Sequence, residues 1–198
     1  MSKNALIIIA KYPESDNVKT RLKGVMSDNA RLQLYIKLLY STIERLSSIP
    51  GIDTFIAFAP AESDHYFLRF NLDLIPLHHR GLGEGMLEAF MHVYSSGYER
   101  ATLVGADIPG LTPEIITDSF NKLTKNDLVF GPAEDGGYYL VGMNKLICEV
   151  FKDVTWSSNQ TLSESLRQAE KYGYTYDLTH TLFDIDTIED VKRAGLMP

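Results

Sequence analysis

Short apolar runs alternate along this chain with longer segments whose apolar residues return at helical spacing. The first run, Leu6-Ile7-Ile8-Ile9, is rich in β-branched residues and predicts a strand. A polar loop follows, from residue 11 to about residue 24. Ser27-Asp28 then caps a long helix to about residue 48, with Leu32, Ile36, Leu39, Ile43 and Leu46 at helical spacing. Pro50-Gly51 ends it. Strands are predicted over 54–59 and 72–77, with a short helix over 63–70 between them. A helix over 83–96 turns Met86, Phe90 and Val93 inward. The run 102–104 predicts a fourth strand, buried on both faces. Pro113, after Thr112, starts a helix to residue 123. Strands over 127–130 and 138–141, a helix over 162–172, a late edge strand over 175–178 and a helix over 187–194 complete the series. Thr187 caps that last helix, and Glu189 and Asp190 put acids in its first turn.

This alternation predicts an α/β protein with a mostly parallel sheet covered on both faces. The loops after strands one, four and five then share one edge, where such folds bind ligands. A length of 198 residues without repeats or linkers predicts one domain over 1–198. The net charge of -7 argues against a broad nucleic-acid surface but leaves room for a local basic loop that binds a nucleotide. A single cysteine, Cys148, excludes an intramolecular disulfide and a Cys-rich zinc site, and its apolar neighbours predict a buried, inert thiol. The apolar run 5–10 is too short to span a bilayer and lacks a cleavage site, so no membrane span and a cytoplasmic location are expected. The eleven tyrosines suggest a contact surface for a homo-oligomer.

Asp107, in Gly105-Ala106-Asp107-Ile108-Pro109-Gly110-Leu111, stands just past the fourth strand. A carboxylate at that sheet edge suits a metal or a phosphate-bearing ligand rather than core packing. The loop after strand one carries Lys11, Lys19 and Arg21, which suit phosphates, Lys as a point charge and Arg as a fork. It is neither a P-loop nor a dinucleotide fingerprint, and a solvated basic loop is the alternative. Gly81-Leu82-Gly83-Glu84-Gly85 opens a helix whose free N–H groups suit an anion or a base edge; a plain turn explains it equally well. Gly131 to Gly142 contains Glu134-Asp135-Gly136-Gly137, acids before a tight turn, suited to sugar hydroxyls, a metal or a general base. Near the end, Asp184-Ile185-Asp186 supplies carboxylates from another loop, and Asp107 with either of them is the pairing left open for a divalent ion. His78 and His79 are adjacent, so on a strand they point apart and chelate poorly. Trp156, before Ser157-Ser158, is either a core anchor or a stacking face for a sugar or base.

Four of these segments occur in a familiar order: Ala10-Lys11-Tyr12-Pro13 with Val18-Lys19-Thr20-Arg21-Leu22, Gly105 to Leu111, Gly131 to Gly142, and Asp184 to Asp190. Together they resemble a small bacterial family of GT-A glycosyltransferase-like proteins in the nucleotide-diphospho-sugar transferase superfamily. That family is similar in turn to the molybdenum cofactor and phospholactate guanylyltransferases. The resemblance covers nearly the whole chain. It implies a three-layer α/β/α sandwich with a mixed sheet of about seven strands. It implies that Lys11, Lys19 and Arg21 contact nucleotide phosphates, and that Asp107 and Asp186 hold Mg2+ or Mn2+. Gly83 and Glu84 would lie near the nucleoside, and Glu134, Asp135, Gly136 and Gly137 on the acceptor or sugar side. Asp107, Asp135 and Lys19 would be the catalytic groups. The family pattern has Pro-Gly-Arg where this chain has Ser15-Asp16-Asn17, and often Arg where Gly85 stands. The expected activity is metal-dependent glycosyl transfer from a nucleoside diphosphate sugar to a small-molecule acceptor. Nucleotidyl transfer with pyrophosphate release is the first alternative, and a non-catalytic nucleotide-binding module, motivated by the altered loop, the second.

Overall fold

The computed structural model describes residues 4–79 and 81–197. Its centre is a seven-stranded sheet of β1 (Asn4–Lys11), β2 (Asp53–Ala59), β3 (Asp73–Pro76), β4 (Arg100–Gly105), β5 (Leu128–Pro132), β6 (Tyr138–Met143) and β7 (Tyr176–Leu178), in the order β3-β2-β1-β4-β6-β5-β7. The strands pair in parallel except at β6, which runs antiparallel to both β4 and β5. The reversal follows from chain length, because the short turn from Ala133 to Gly137 cannot hold a crossover helix.

Among the described residues six α-helices flank the sheet: α1 (Asp28–Leu46), α2 (Asp64–Phe67), α3 (Leu82–Ser95), α4 (Pro113–Lys122), α5 (Thr161–Lys171) and α6 (Ile188–Arg193). Alternate residues of β1 enter different cores, as a strand buried on both faces requires. Leu6 and Ile8 pack with Leu39 and Ile43 of α1 and Ile116 and Phe120 of α4. Ala5 and Ile7 pack with Phe90 and Val93 of α3 and Ala169 of α5. This is the expected three-layer sandwich. A smaller cluster joins Leu22 of the first loop, Leu34 and Leu38 of α1, Ile185, and Val191 of α6. It brings the first loop and the 184–186 segment, distant in sequence, onto the same corner of the sheet.

Several local expectations change. The segment 63–70 is not one helix: α2 is a single turn between two 3-10 turns, Ala61–Ser63 and Leu68–Phe70. Asn71, at φ 51, stops it in the left-handed region. The helix expected at Gly83 begins at Leu82, with Gly81 as its cap. Cys148 is only partly buried, and burial pushes its thiol pKa up, which keeps it protonated. Among the described residues no helix is long and apolar enough to cross a membrane.

Candidate active-site cleft

A cavity of about 530 Å³ opens at the carboxyl ends of β1 and β4. The first loop forms one wall, and the β5–β6 turn with the 156–161 loop forms the other. Lys11, Lys19, Arg21, Asp107, Asp135, Asp184 and Asp186 all line it, so the structure brings together residues spread over most of the chain.

The acids converge. Asp135, Asp184 and Asp186 each offer a carboxylate oxygen, and these atoms lie within 4.8 Å of one another. Burial pushes the Asp184 pKa up to about 6, and the charges of Asp186, Asp107 and Asp135 push in the same direction. Three carboxylate oxygens, one from the β5–β6 turn and two from the 184–186 segment, gathered this closely fit a hard divalent cation. Asp107 is not in that group. Its Oδ2 lies 2.5 Å from the Lys19 ammonium, whose side chain is only 4% exposed. Lys19 also donates to the Ile185 carbonyl at 2.5 Å and stands 3.9 Å from Asp186 Oδ1. The expected pairing of Asp107 with Asp186 is therefore bridged by an ammonium. Arg21, half exposed, pairs with the other oxygen of Asp186.

The altered first loop is fixed from below. Arg31, on the first turns of α1, is fully buried. Its guanidinium donates to the carbonyls of Ser15 at 3.1 Å, Val18 at 3.0 Å and Lys19 at 3.5 Å, and it also pairs with Asp28. Lys19 itself sits at φ 48, a left-handed conformation that a lysine adopts only when its surroundings enforce it. The Tyr35 hydroxyl donates to the Lys11 carbonyl at 3.0 Å and accepts from the Lys11 N–H at 2.8 Å. Sequence reasoning passed over Arg31 and Tyr35. A signal was present, because both polar groups fall on the same helical face as Leu38 and Leu39, where apolar side chains are the rule.

The opposite wall is built on close approaches. A Cβ on Gly83 would stand 2.3 Å from the Trp156 ring, so this glycine makes room for Trp156. Trp156 stacks on Phe151 and turns an edge to Tyr138, as a core anchor does, and it also lines the cavity. Gly136, at φ 88, leaves room for the Asn159 backbone, which a Cβ would meet at 2.2 Å. Its carbonyl accepts from Leu162 N–H at 3.1 Å. Asp135 Oδ1 accepts from Gly137 N–H at 2.9 Å, which fixes the carboxylate at the turn. Glu134 departs from its expected place: it forms a two-pronged pair with Arg193 of α6 at 2.7 and 2.8 Å and does not line the cavity. Glu84 is exposed and likewise outside the lining. His78 donates its backbone N–H to Glu88 at 2.9 Å, whereas His79 lines the cavity.

Residues 42–158 match DUF2064, a family described as an uncharacterized protein conserved in bacteria. The 2-phospho-L-lactate guanylyltransferase of Methanocaldococcus vulcanius is 25% identical over 187 residues, which cover 94% of this chain and 82% of the relative. That of Methanocaldococcus jannaschii is 28% identical over 186 residues, covering 93% and 80%. A crystal structure from Desulfovibrio desulfuricans G20, described as a candidate nucleotide-diphospho-sugar transferase, superposes with a TM-score of 0.90 at 27% identity, covering 97% of this chain and 87% of that one. The sheet order, the cleft and these likenesses make the chain a transferase, similar to the nucleotidyltransferases and nucleotide-sugar transferases.

Proposed function

We propose that this chain, which belongs to the DUF2064 family, is a metal-assisted nucleotidyltransferase acting on a nucleoside triphosphate and a small phosphorylated acceptor. The observation that carries the reading is the convergence of Asp135, Asp184 and Asp186 beside the first-loop cations. The similarity to two guanylyltransferases supports nucleotidyl over glycosyl transfer.

In this reaction an acceptor phosphate oxygen attacks the α-phosphorus. The bond from that phosphorus to the bridging oxygen of the β-phosphate breaks, and pyrophosphate leaves with the electron pair. Asp135, Asp184 and Asp186 would hold Mg2+ or Mn2+, which supplies neutralising charge for the phosphate oxygens. Arg21 is exposed enough to turn from Asp186 to a phosphate, where its planar fork matches two oxygens. Lys11 extends from the end of β1 on the same wall, adding charge where the departing group accumulates it. Asp107 orders Lys19 by ion pairing, and Trp156 with Tyr138 gives the acceptor side a rigid aromatic wall.

The test is a screen of four nucleoside triphosphates, labelled on the α-phosphate, against phosphorylated small molecules with Mn2+. Transfer of label to the acceptor together with pyrophosphate release is expected. The likeness to the Desulfovibrio structure favours a second reading, glycosyl transfer. It predicts instead that a nucleoside diphosphate sugar is consumed with release of the free diphosphate and no pyrophosphate.

A further inference from the structure

We infer that Lys19 is a tethered counter-cation for the acidic cleft: it holds Asp107 and stands beside Asp186, and it must give way for a divalent ion to bind tightly. The inference rests on the metal-assisted reading above and reassigns Lys19 within it.

Three observations carry it. First, the ammonium is already committed. Two of its protons go to Asp107 Oδ2 and the Ile185 carbonyl, each at 2.5 Å, and Asp186 Oδ1 stands 3.9 Å away. The Lys19 side chain is only 4% exposed, so protein acceptors rather than water hold this ammonium. Second, the backbone beneath it is fastened. Nη1 of the buried Arg31 donates to the carbonyls of Ser15, Val18 and Lys19, and Lys19 is held at φ 48. The backbone from which the ammonium extends is thus held by the fold. Third, Asp186 belongs to two sets at once, the Lys19 pair and the oxygen cluster with Asp135 and Asp184. Two cations that share one carboxylate repel each other across a few ångströms of partly buried space. Each therefore weakens the hold of the other, and by linkage the effect is reciprocal. Phosphates entering beside Arg21 offer Lys19 new acceptors and so ease its release, which makes nucleotide and metal binding mutually supportive.

The experiment is a titration of the full chain with Mn2+ in the absence of nucleotide, read by the loss of the free-ion paramagnetic resonance signal. Wild type, Lys19→Met and Arg31→Lys are compared. Lys19→Met keeps the length of the side chain and removes its charge. It is expected to bind Mn2+ at least tenfold more tightly than wild type. Its melting temperature should fall without metal and recover on adding Mn2+. Arg31→Lys loses the fork but leaves the cleft charges in place, and a smaller gain in the same direction is expected. If Lys19 is instead a simple phosphate clamp, nucleotide-free Mn2+ affinity stays at the wild-type value in both variants; that result overturns the counter-cation and leaves the proposed reaction standing. Absence of Mn2+ binding in all three proteins, with and without nucleoside triphosphate, overturns this inference together with the metal-assisted reading.

Discussion

The residues that decide this site are those whose surroundings leave them no other role. Asp186 accepts from Arg21, faces Lys19, and shares the oxygen cluster with Asp135 and Asp184. Asp186→Asn keeps the shape and removes one charge from a set of three. Mn2+ affinity and turnover with the best nucleotide are each expected to fall by about 100-fold, the scale of losing one preorganised electrostatic group. Calorimetric titration and initial rates check this, and wild-type Mn2+ affinity in the variant would remove Asp186 from the metal site. Gly83 makes a different kind of prediction. The Cβ of Gly83→Ala would stand 2.3 Å from the Trp156 ring, so either the ring or the start of α3 must move. Overpacking of this sort costs about 1–3 kcal/mol. Trp156 is the only tryptophan in the chain, so its emission reports directly on the displacement. A fall in denaturation midpoint with a shifted emission maximum is expected, and an unchanged spectrum would mean that Gly83 does not carry Trp156.

At the scale of elements, the alternating pattern of apolar residues was enough to place every strand and the long helices; β1, β2 and β4 to β6 are runs buried from water, and the partly exposed edge strand β7 was legible from its position after the 162–172 helix. Residues 102–104 are buried on both faces, as expected, and pair in parallel with Leu6 to Ile8 inside the sheet. What periodicity does not encode is which carboxylates share a pocket. The pairing of Asp107 with Asp186 was half legible, since both reach one ammonium, but the place of Asp184 depends on the fold of a loop without period. Glu134 was misplaced for the same reason: its partner Arg193 is 59 positions away on a short helix. Another such link is Asp127, which accepts from Lys145 at 2.9 Å and from the Thr175 N–H and hydroxyl at 3.0 Å each, tying the starts of β5 and β7 to the end of β6. Lys145 first, then the Thr175 donors, hold its carboxyl pKa below the ordinary value. A depressed folded-state pKa stabilises above the unfolded value and loses that contribution as pH falls through the folded one. Asp127→Asn should therefore cost about 1 kcal/mol at neutral pH, the pair being partly exposed. The difference from wild type should hold above about pH 5 and close as the pH drops below the ordinary aspartate value of about 3.9. Urea denaturation at a series of pH values measures it, and a gap that persists unchanged at low pH would show that the charge is irrelevant there.

At the scale of the whole molecule, one sheet with continuous cores on both faces leaves no seam along which part of the chain can melt alone, and we propose that it unfolds as one domain in a single transition. The cleft adds to this coupling, because Lys19 comes from before α1 while Asp184 and Asp186 come from just before α6. A ligand that bridges these segments binds only the folded chain. At a hundredfold excess over its dissociation constant it adds about 2.7 kcal/mol. A chain of this size gains about 2–4 °C per kcal/mol, so a rise in melting temperature of about 5–11 °C is expected with nucleoside triphosphate and Mn2+ together. Mutual support between the two ligands requires that either alone gives less, and that chelation of Mn2+ returns the midpoint most of the way to the ligand-free value. In Asp186→Asn the combined rise should shrink to that of nucleotide alone. Two resolved transitions, only one of them shifted by ligand, would divide the molecule in two and detach the cleft from the cores that are expected to hold it.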